Sequence, residues 1–233
     1  MDIKSLNARL EHEMENLSRS PNLEKVLEPG FVDKRLYAMY LCETYHYTLH
    51  NARNQALVAT RREAMSVQYM KYCLNHALEE AGHELMALHD LKNLGFEIDD
   101  KNLPKPLIST EALIAYLYHV SEHFTPVARL GYSYWAERSY EYIQPLLAML
   151  SDGLGVPKKA MTFFNEHSEI DAKHAEEVEE AIVRFVKTPE QWQAVEEVMV
   201  GSLIMTTRMM DEVFDQFCKL KEGKPTRYGF LEK

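Results

Sequence analysis

Residues 163–174 read FFNEHSEIDAKH, and the placing of three polar side chains within them decides what kind of fold can hold the stretch. His167, Asp171 and His174 stand at offsets of zero, four and seven. On a helix turning roughly 100° per residue they lie within about 60° of one another. Phe163 and Phe164 come immediately before them, so the same helix also has an apolar side to bury. Three potential metal ligands on one stripe of such a helix belong in a helical interior.

An echo lies some ninety residues earlier. His76, Glu80 and His83 repeat the same offsets, so H-x3-(D/E)-x2-H occurs twice. The chain around the two copies is helical throughout. Its nine glycines and nine prolines fall mostly in clusters, at 29–30, 93–95, 104–106, 152–157 and 188–190. The segments between carry period-3.6 apolar spacing and good helix formers. Helices are expected at about 2–18, 21–28, 32–61, 64–93, 109–122, 126–151, 157–187 and 189–221. Phe124-Thr125-Pro126 marks a sharp turn, because the residue before proline leaves the helical region. With no alternating strand pattern, the class is all-α, a bundle with short connections, read as one domain over 1–233.

Composition excludes several roles. Against 26 basic side chains stand 36 acidic ones, a net charge of −10, which argues against a nucleic-acid binder. No run of about 18 apolar residues occurs, so no membrane span is expected. The opening MDIKSLNARLEHEMENL is charged and amphipathic and lacks a signal-peptide core, so a cytoplasmic protein is expected. Cys42, Cys73 and Cys218 are widely spaced and odd in number, which suits reduced, packed thiols.

A lone histidine on a helix is more often packed or solvated than a ligand. Two matching stripes change the balance, since buried imidazoles and carboxylates are costly to desolvate unless paired or metal-bound. Bundles build metal sites by this means, with Glu-x-x-His pairs projecting inward, and Glu80-Ala-Gly-His83 is such a pair. Its small central residues could admit a close neighbour. A third helix can add a carboxylate: Glu137 follows the uncharged, aromatic stretch 130–136, with Glu141 one turn on. The bland alternative for Glu137 is an ion pair with Arg138 or a surface position. Imidazole and carboxylate without thiolate suit iron or manganese better than structural zinc.

Other features read as packing or surface. The methionine-rich stretch 198–214 is core filler, His12 sits among charges, and Glu169, Glu176, Glu177, Glu179 and Glu180 form a solvated run. His89, Asp90 and His119 have no assigned role.

Glu80-x2-His83, Glu137 and His167-x3-Asp171-x2-His174 together resemble the haem-oxygenase-like di-iron oxidases and oxygenases. These share their fold with haem oxygenase and the TenA/THI-4 thiamin-salvage proteins. The phrase EEAGHELMALHDLKNLG at 79–95 is similar to the first ligand segment of that family. The resemblance implies a TenA-like bundle of seven to eight helices. It implies iron ligands at Glu80, His83, Glu137, His167, Asp171 and His174, with Glu79 as the alternative to Glu80 and no catalytic residue beyond the ligands. The implied cofactors are two ferrous ions, with manganese as the alternative, and dioxygen. The implied activity is desaturation, cleavage or N-oxygenation of a small amino-acid- or fatty-acid-like molecule.

An electron donor is then a required partner, and a homodimer is an admissible assembly. The alternatives are a TenA/THI-4-like hydrolase of thiamin-related pyrimidines, which would need a cysteine nucleophile, and a non-catalytic binding protein of the same fold. A third stripe, His46, His50 and Arg53, lacks a carboxylate. Arginine is no metal ligand but grips carboxylates through paired hydrogen bonds. Arg53 with His50 and Arg208 is therefore expected to anchor a carboxylate-bearing substrate, and His76 is expected at the pocket wall.

Overall fold

The computed structural model describes residues 2–61 and 65–232; the side chains of 166–173 lie outside what it describes. Among the described residues there are eleven α-helices and no strand. They are α1 (Ile3–Ser18), α2 (Pro21–Val26), α3 (Lys34–Thr48), α4 (Asn51–Ala59), α5 (Val67–Glu80), α6 (Glu84–Asn93), α7 (Ile108–His123), α8 (Leu130–Arg138), α9 (Gln144–Ala148), α10 (Thr162–Phe185) and α11 (Pro189–Lys221). No described helix is long and apolar enough to cross a membrane.

The helix starts follow local chemistry. Asp2, Ser20, Asp33 and Ser66 each accept a hydrogen bond from a first-turn backbone N–H of the helix that follows. α11 opens with Pro189 behind a capping box formed by Thr188 and Gln191. The 33 residues of α11 form the axis on which α3, α7 and α8 pack. Two apolar clusters fill the bundle. One gathers Leu41, Leu91, Phe164 and Phe217; the other gathers Leu6, Leu117, Val195 and Met199. Each such buried side chain contributes roughly 1.5–3 kcal/mol relative to exposure.

Three expected long helices are interrupted, which is why the count exceeds eight. The span 32–61 breaks at Leu49 and His50, and α4 restarts so that Asn51 and Asn54 meet buried Arg129. The span 64–93 breaks at Ala81 (ψ 118°) and Gly82 (φ 100°). Nothing lies within 4 Å of where a Cβ on Gly82 would stand, so this glycine supplies a left-handed backbone rather than room for a neighbour. The span 126–151 divides into a 3-10 turn, α8, a second 3-10 turn, α9 and a π-helical turn at Met149–Gly153.

Gly131 is the opposite case. A Cβ there would stand 2.1 Å from the carbonyl oxygen of Val195 and 2.7 Å from the nitrogen of Met199. Backbone-to-backbone approach of α8 and α11 requires it.

Buried carboxylates bind distant segments together. Glu43, fully buried on α3, accepts from the Leu107 backbone N–H at 2.9 Å and the Thr110 hydroxyl at 2.5 Å, fixing the start of α7. Its other oxygen accepts from the Tyr228 hydroxyl at 2.6 Å. Asp90 on α6 does the same for α10, whose own flanking residue Met161 offers no side-chain cap.

Candidate metal centre

Regular α-helix carries His76 and Glu80 one turn apart on the same face of α5, and both are buried. Opposite them stands Glu137, buried near the end of α8, and beside it His174 from α10. The Nε2 of His76 lies 3.7 Å from Oε1 of Glu137, and Nδ1 of His174 lies 3.7 Å from its Oε2. Beyond the Gly82 break, Nδ1 of His83 lies 3.7 Å from Oε1 of Glu80. Ligand atoms of His76, Glu80 and Glu137 all lie within 4.8 Å of one another. A second trio, Glu79, His174 and Glu177, meets the same limit nearer the surface. Glu80 and Glu79, the two alternatives in sequence, thus each face a histidine, Glu80 inward and Glu79 outward at 3.6 Å from His174 Nε2.

These contacts are too long for hydrogen bonds. Both ring nitrogens of His76, and Nδ1 of His174, are buried without a hydrogen-bond partner among the described residues. Leaving such an atom unsatisfied costs about 1–3 kcal/mol. An ion bound among them would resolve the cost. Ligand atoms about 2.1 Å from a metal stand about 3.0 Å apart when adjacent and about 4.2 Å apart when opposite, and 3.7 Å falls between. The donor set is imidazole and carboxylate with no thiolate, so the residues fit iron or manganese.

Electrostatics agree. Burial alone would raise the Glu137 carboxyl, but the imidazoles of His174 and His76 outweigh it and hold the group well below its ordinary value. Glu137 in turn raises His174, against the effect of burial. A proton on His174, which Glu137 favours, and a metal ion would compete for one place.

A polar relay stands behind Glu80. Asn51 Nδ2 donates to Glu80 Oε2 at 2.7 Å, and Arg129 Nη2 donates to Asn51 Oδ1 at 2.7 Å. Arg129 is buried; it also donates to Asn54 at 2.7 Å and Ser133 at 3.0 Å, and it stacks on Tyr132 at 4.4 Å. Desolvation lowers its pKa, with nearby Tyr132 and Glu80 favouring the charge. Sequence reading missed Asn51, Arg129 and Asp90. Only Arg129 left a signal, as a lone cation in the otherwise uncharged run 124–136.

The structure brings Glu80, His83, Glu137 and His174 together, while the side chains of His167 and Asp171 lie outside the described residues. His76, expected at the pocket wall, stands inside the cluster. Glu141 is exposed, and Arg138 pairs with Glu179 rather than Glu137. The proposed carboxylate anchors are elsewhere. His50 meets the Tyr118 hydroxyl at 3.0 Å, Arg53 is exposed, and Arg208 is exposed with Asp211 at 3.9 Å. A cleft of about 430 Å³ does reach His76 from solvent, lined by Lys71, Tyr72, Glu79, Glu177 and Arg184 among others.

Residues 38–203 match the model of a family described as iron-containing redox enzymes. A crystal structure from Shewanella denitrificans, a domain of unknown function with a haem-oxygenase-like fold, is 44% identical, with 96% of each chain covered and a TM-score of 0.91. A TenA homologue from Pseudomonas syringae is 11% identical over 91% of this chain and 92% of its own, at TM-score 0.68. A CADD-like protein of unknown function from Nostoc punctiforme is 14% identical over 91% and 98%, at TM-score 0.66. The last two likenesses are of fold alone. No curated protein matches the sequence.

Proposed function

The chain belongs to the iron-containing redox enzyme family and has the haem-oxygenase-like fold, and on that premise we propose that it is a non-haem di-iron oxidase or oxygenase acting on a small molecule. The observation that carries this reading is Glu137, a buried carboxylate facing imidazoles from two other helices at ligand spacing, with ring nitrogens otherwise unsatisfied. Glu80, His83, Glu137 and His174 would hold the iron, joined by His167 and Asp171 on the strength of the family resemblance.

Iron bound there would supply reduction of dioxygen by single-electron steps, with an external donor restoring the ferrous state. The protein's part follows from its side chains. Burial keeps bulk water from Glu80 and Glu137. Asn51 occupies one oxygen of Glu80, leaving Oε1 turned to His83. Glu137, held ionised beside two imidazoles, would receive the cation, and His174 would have to be neutral to join it as a ligand. The cleft admits the substrate beside His76. A substrate carboxylate would meet Lys71 and Arg184, which line that cleft, rather than Arg53 and Arg208.

The hydrolase alternative draws no support from the two buried thiols. Burial pushes the Cys42 thiol well up and the Cys73 thiol up to about 11, so neither is a thiolate at neutral pH.

Anaerobic loading with ferrous iron, followed by mixing with oxygenated buffer in a stopped-flow spectrometer, tests the proposal. About two irons per chain and an oxygen-dependent absorbance change are expected. His174→Ala should lose most metal at one site, while His12→Ala, an exposed histidine, should lose none. Stoichiometric zinc with no oxidation of ferrous iron would overturn the reading.

A further inference from the structure

His76 is the buried imidazole that the expected ligand set leaves without work. Both of its ring nitrogens are shielded from solvent, and neither finds a donor or acceptor among the described residues. A neutral imidazole carries one N–H and one lone pair, so two polar functions are left idle in one ring. Its neighbours supply no hydrogen bond. The Tyr72 ring lies with its centroid 5.8 Å away and the His174 ring 6.0 Å away, and the Tyr72 hydroxyl is itself unpartnered. A histidine that orients a ligand would have to hydrogen-bond to one, and Glu137 at 3.7 Å is out of that range.

The backbone explains why this residue is well placed. His76 and Glu80 precede the break at Ala81 and Gly82, so unbroken α5 fixes their relative position at one helical turn. His83 follows the break and is positioned by a different helix start. Two donors one turn apart on a rigid helix, with Glu137 brought to them by α8, form a three-sided nitrogen-and-oxygen set within 4.8 Å. His76 and Glu79 both line the same solvent-facing cleft.

We propose that His76 is itself a metal ligand, acting through Nε2 with Glu80 and Glu137 in a buried site for a divalent cation. This rests on the reading of the cluster as a metal centre and adds a ligand that the family resemblance does not supply.

The test uses cobalt(II) and manganese(II) as probes on the full chain, so no turnover is needed. Binding is followed by equilibrium dialysis and by the visible absorption of bound cobalt. Side chains of equal size separate ligation from packing: His76→Glu can ligate and His76→Gln ligates poorly. His76→Glu should hold metal close to the wild-type level, whereas His76→Gln should lose one equivalent or bind at least about tenfold more weakly, with an altered cobalt spectrum. Circular dichroism of the metal-free variants shows whether each is folded. Should His76→Gln not fold, His76→Ala with added imidazole replaces it, and recovery of cobalt binding on adding imidazole is the expected result. Equal binding by wild type and folded His76→Gln, or no recovery with imidazole, overturns the assignment while leaving the metal centre standing. Failure of the wild-type chain to bind either metal overturns both.

Discussion

Asp90 caps a helix to which it does not belong: one carboxylate oxygen accepts from the backbone N–H and the hydroxyl of Thr162, at 2.9 and 2.6 Å, and the other accepts from the N–H of Phe163 at 2.9 Å. The helix that begins just after His83 thereby sets the start of the helix that carries His174. Two of the segments bearing candidate ligands are locked together away from the ligands themselves.

Asp90→Asn should cost about 0.5–2 kcal/mol, since an amide cannot accept all three bonds and turns a donor towards one of them. The pH dependence has a definite sign. Burial raises the Asp90 carboxyl above its ordinary value, more than the bonds from Thr162 and Phe163 lower it. A carboxyl with a raised folded pKa favours folding most when protonated, and that contribution falls as pH rises from about 3.9 through the raised value. Thermal melts of wild type and Asp90→Asn should therefore draw further apart as pH is lowered from 7 towards 4. A gap that closes on acidification would show that the charged form is the better cap.

Asn51→Ala tests the relay behind Glu80. It removes the donor at 2.7 Å from the carboxylate and leaves Arg129 one acceptor short. Loss of such an outer hydrogen bond typically weakens metal binding about 10–100-fold. Cobalt(II) titration should show that loss with the helical content unchanged. An unaltered affinity would mean that Glu80 is held by the metal alone.

How much of this was legible beforehand depends on the kind of residue. The doubled stripe exposed His76, Glu80, His83 and His174 because helical period and ligand chemistry coincide there. Glu137 could be read from its uncharged surroundings. Asn51 and Asp90 could not, because an amide or a lone aspartate in a polar-apolar helix looks the same whether it faces solvent or, as here, Arg129 and the start of α10. The helix breaks escaped for a related reason. Glu80-Ala-Gly-His83 reads as helix by period, and only the positive φ of Gly82 shows that the chain turns between the two candidate ligands. Arg53 satisfied its spacing rule, yet α4 presents it to solvent.

Gly131→Ala should destabilise the fold by about 3 kcal/mol or more, because the new methyl would meet the backbone of α11 and no side chain can move aside. Since α8 carries Glu137, metal affinity should fall with stability. A chemical-denaturation midpoint within error of wild type would show that α8 and α11 can separate at no cost.

The cysteines should be inert. Iodoacetamide at pH 7 is expected to leave Cys42 and Cys73 unmodified in the folded chain, as burial raises both thiols. Rapid alkylation of Cys73 by mass spectrometry would revive a thiol-dependent hydrolase.

Glu43 gives the protein a clock. Its carboxylate is sealed inside α3, yet one of its donors, Tyr228, is made 185 residues later. At about 5–20 residues per second, a ribosome delivers that tyrosine roughly 10–40 s after the glutamate. Until then the buried carboxyl group of Glu43 lacks one of the three donors that surround it. The contact that completes this buried carboxyl group therefore closes only after all eleven helices of the described residues have been made.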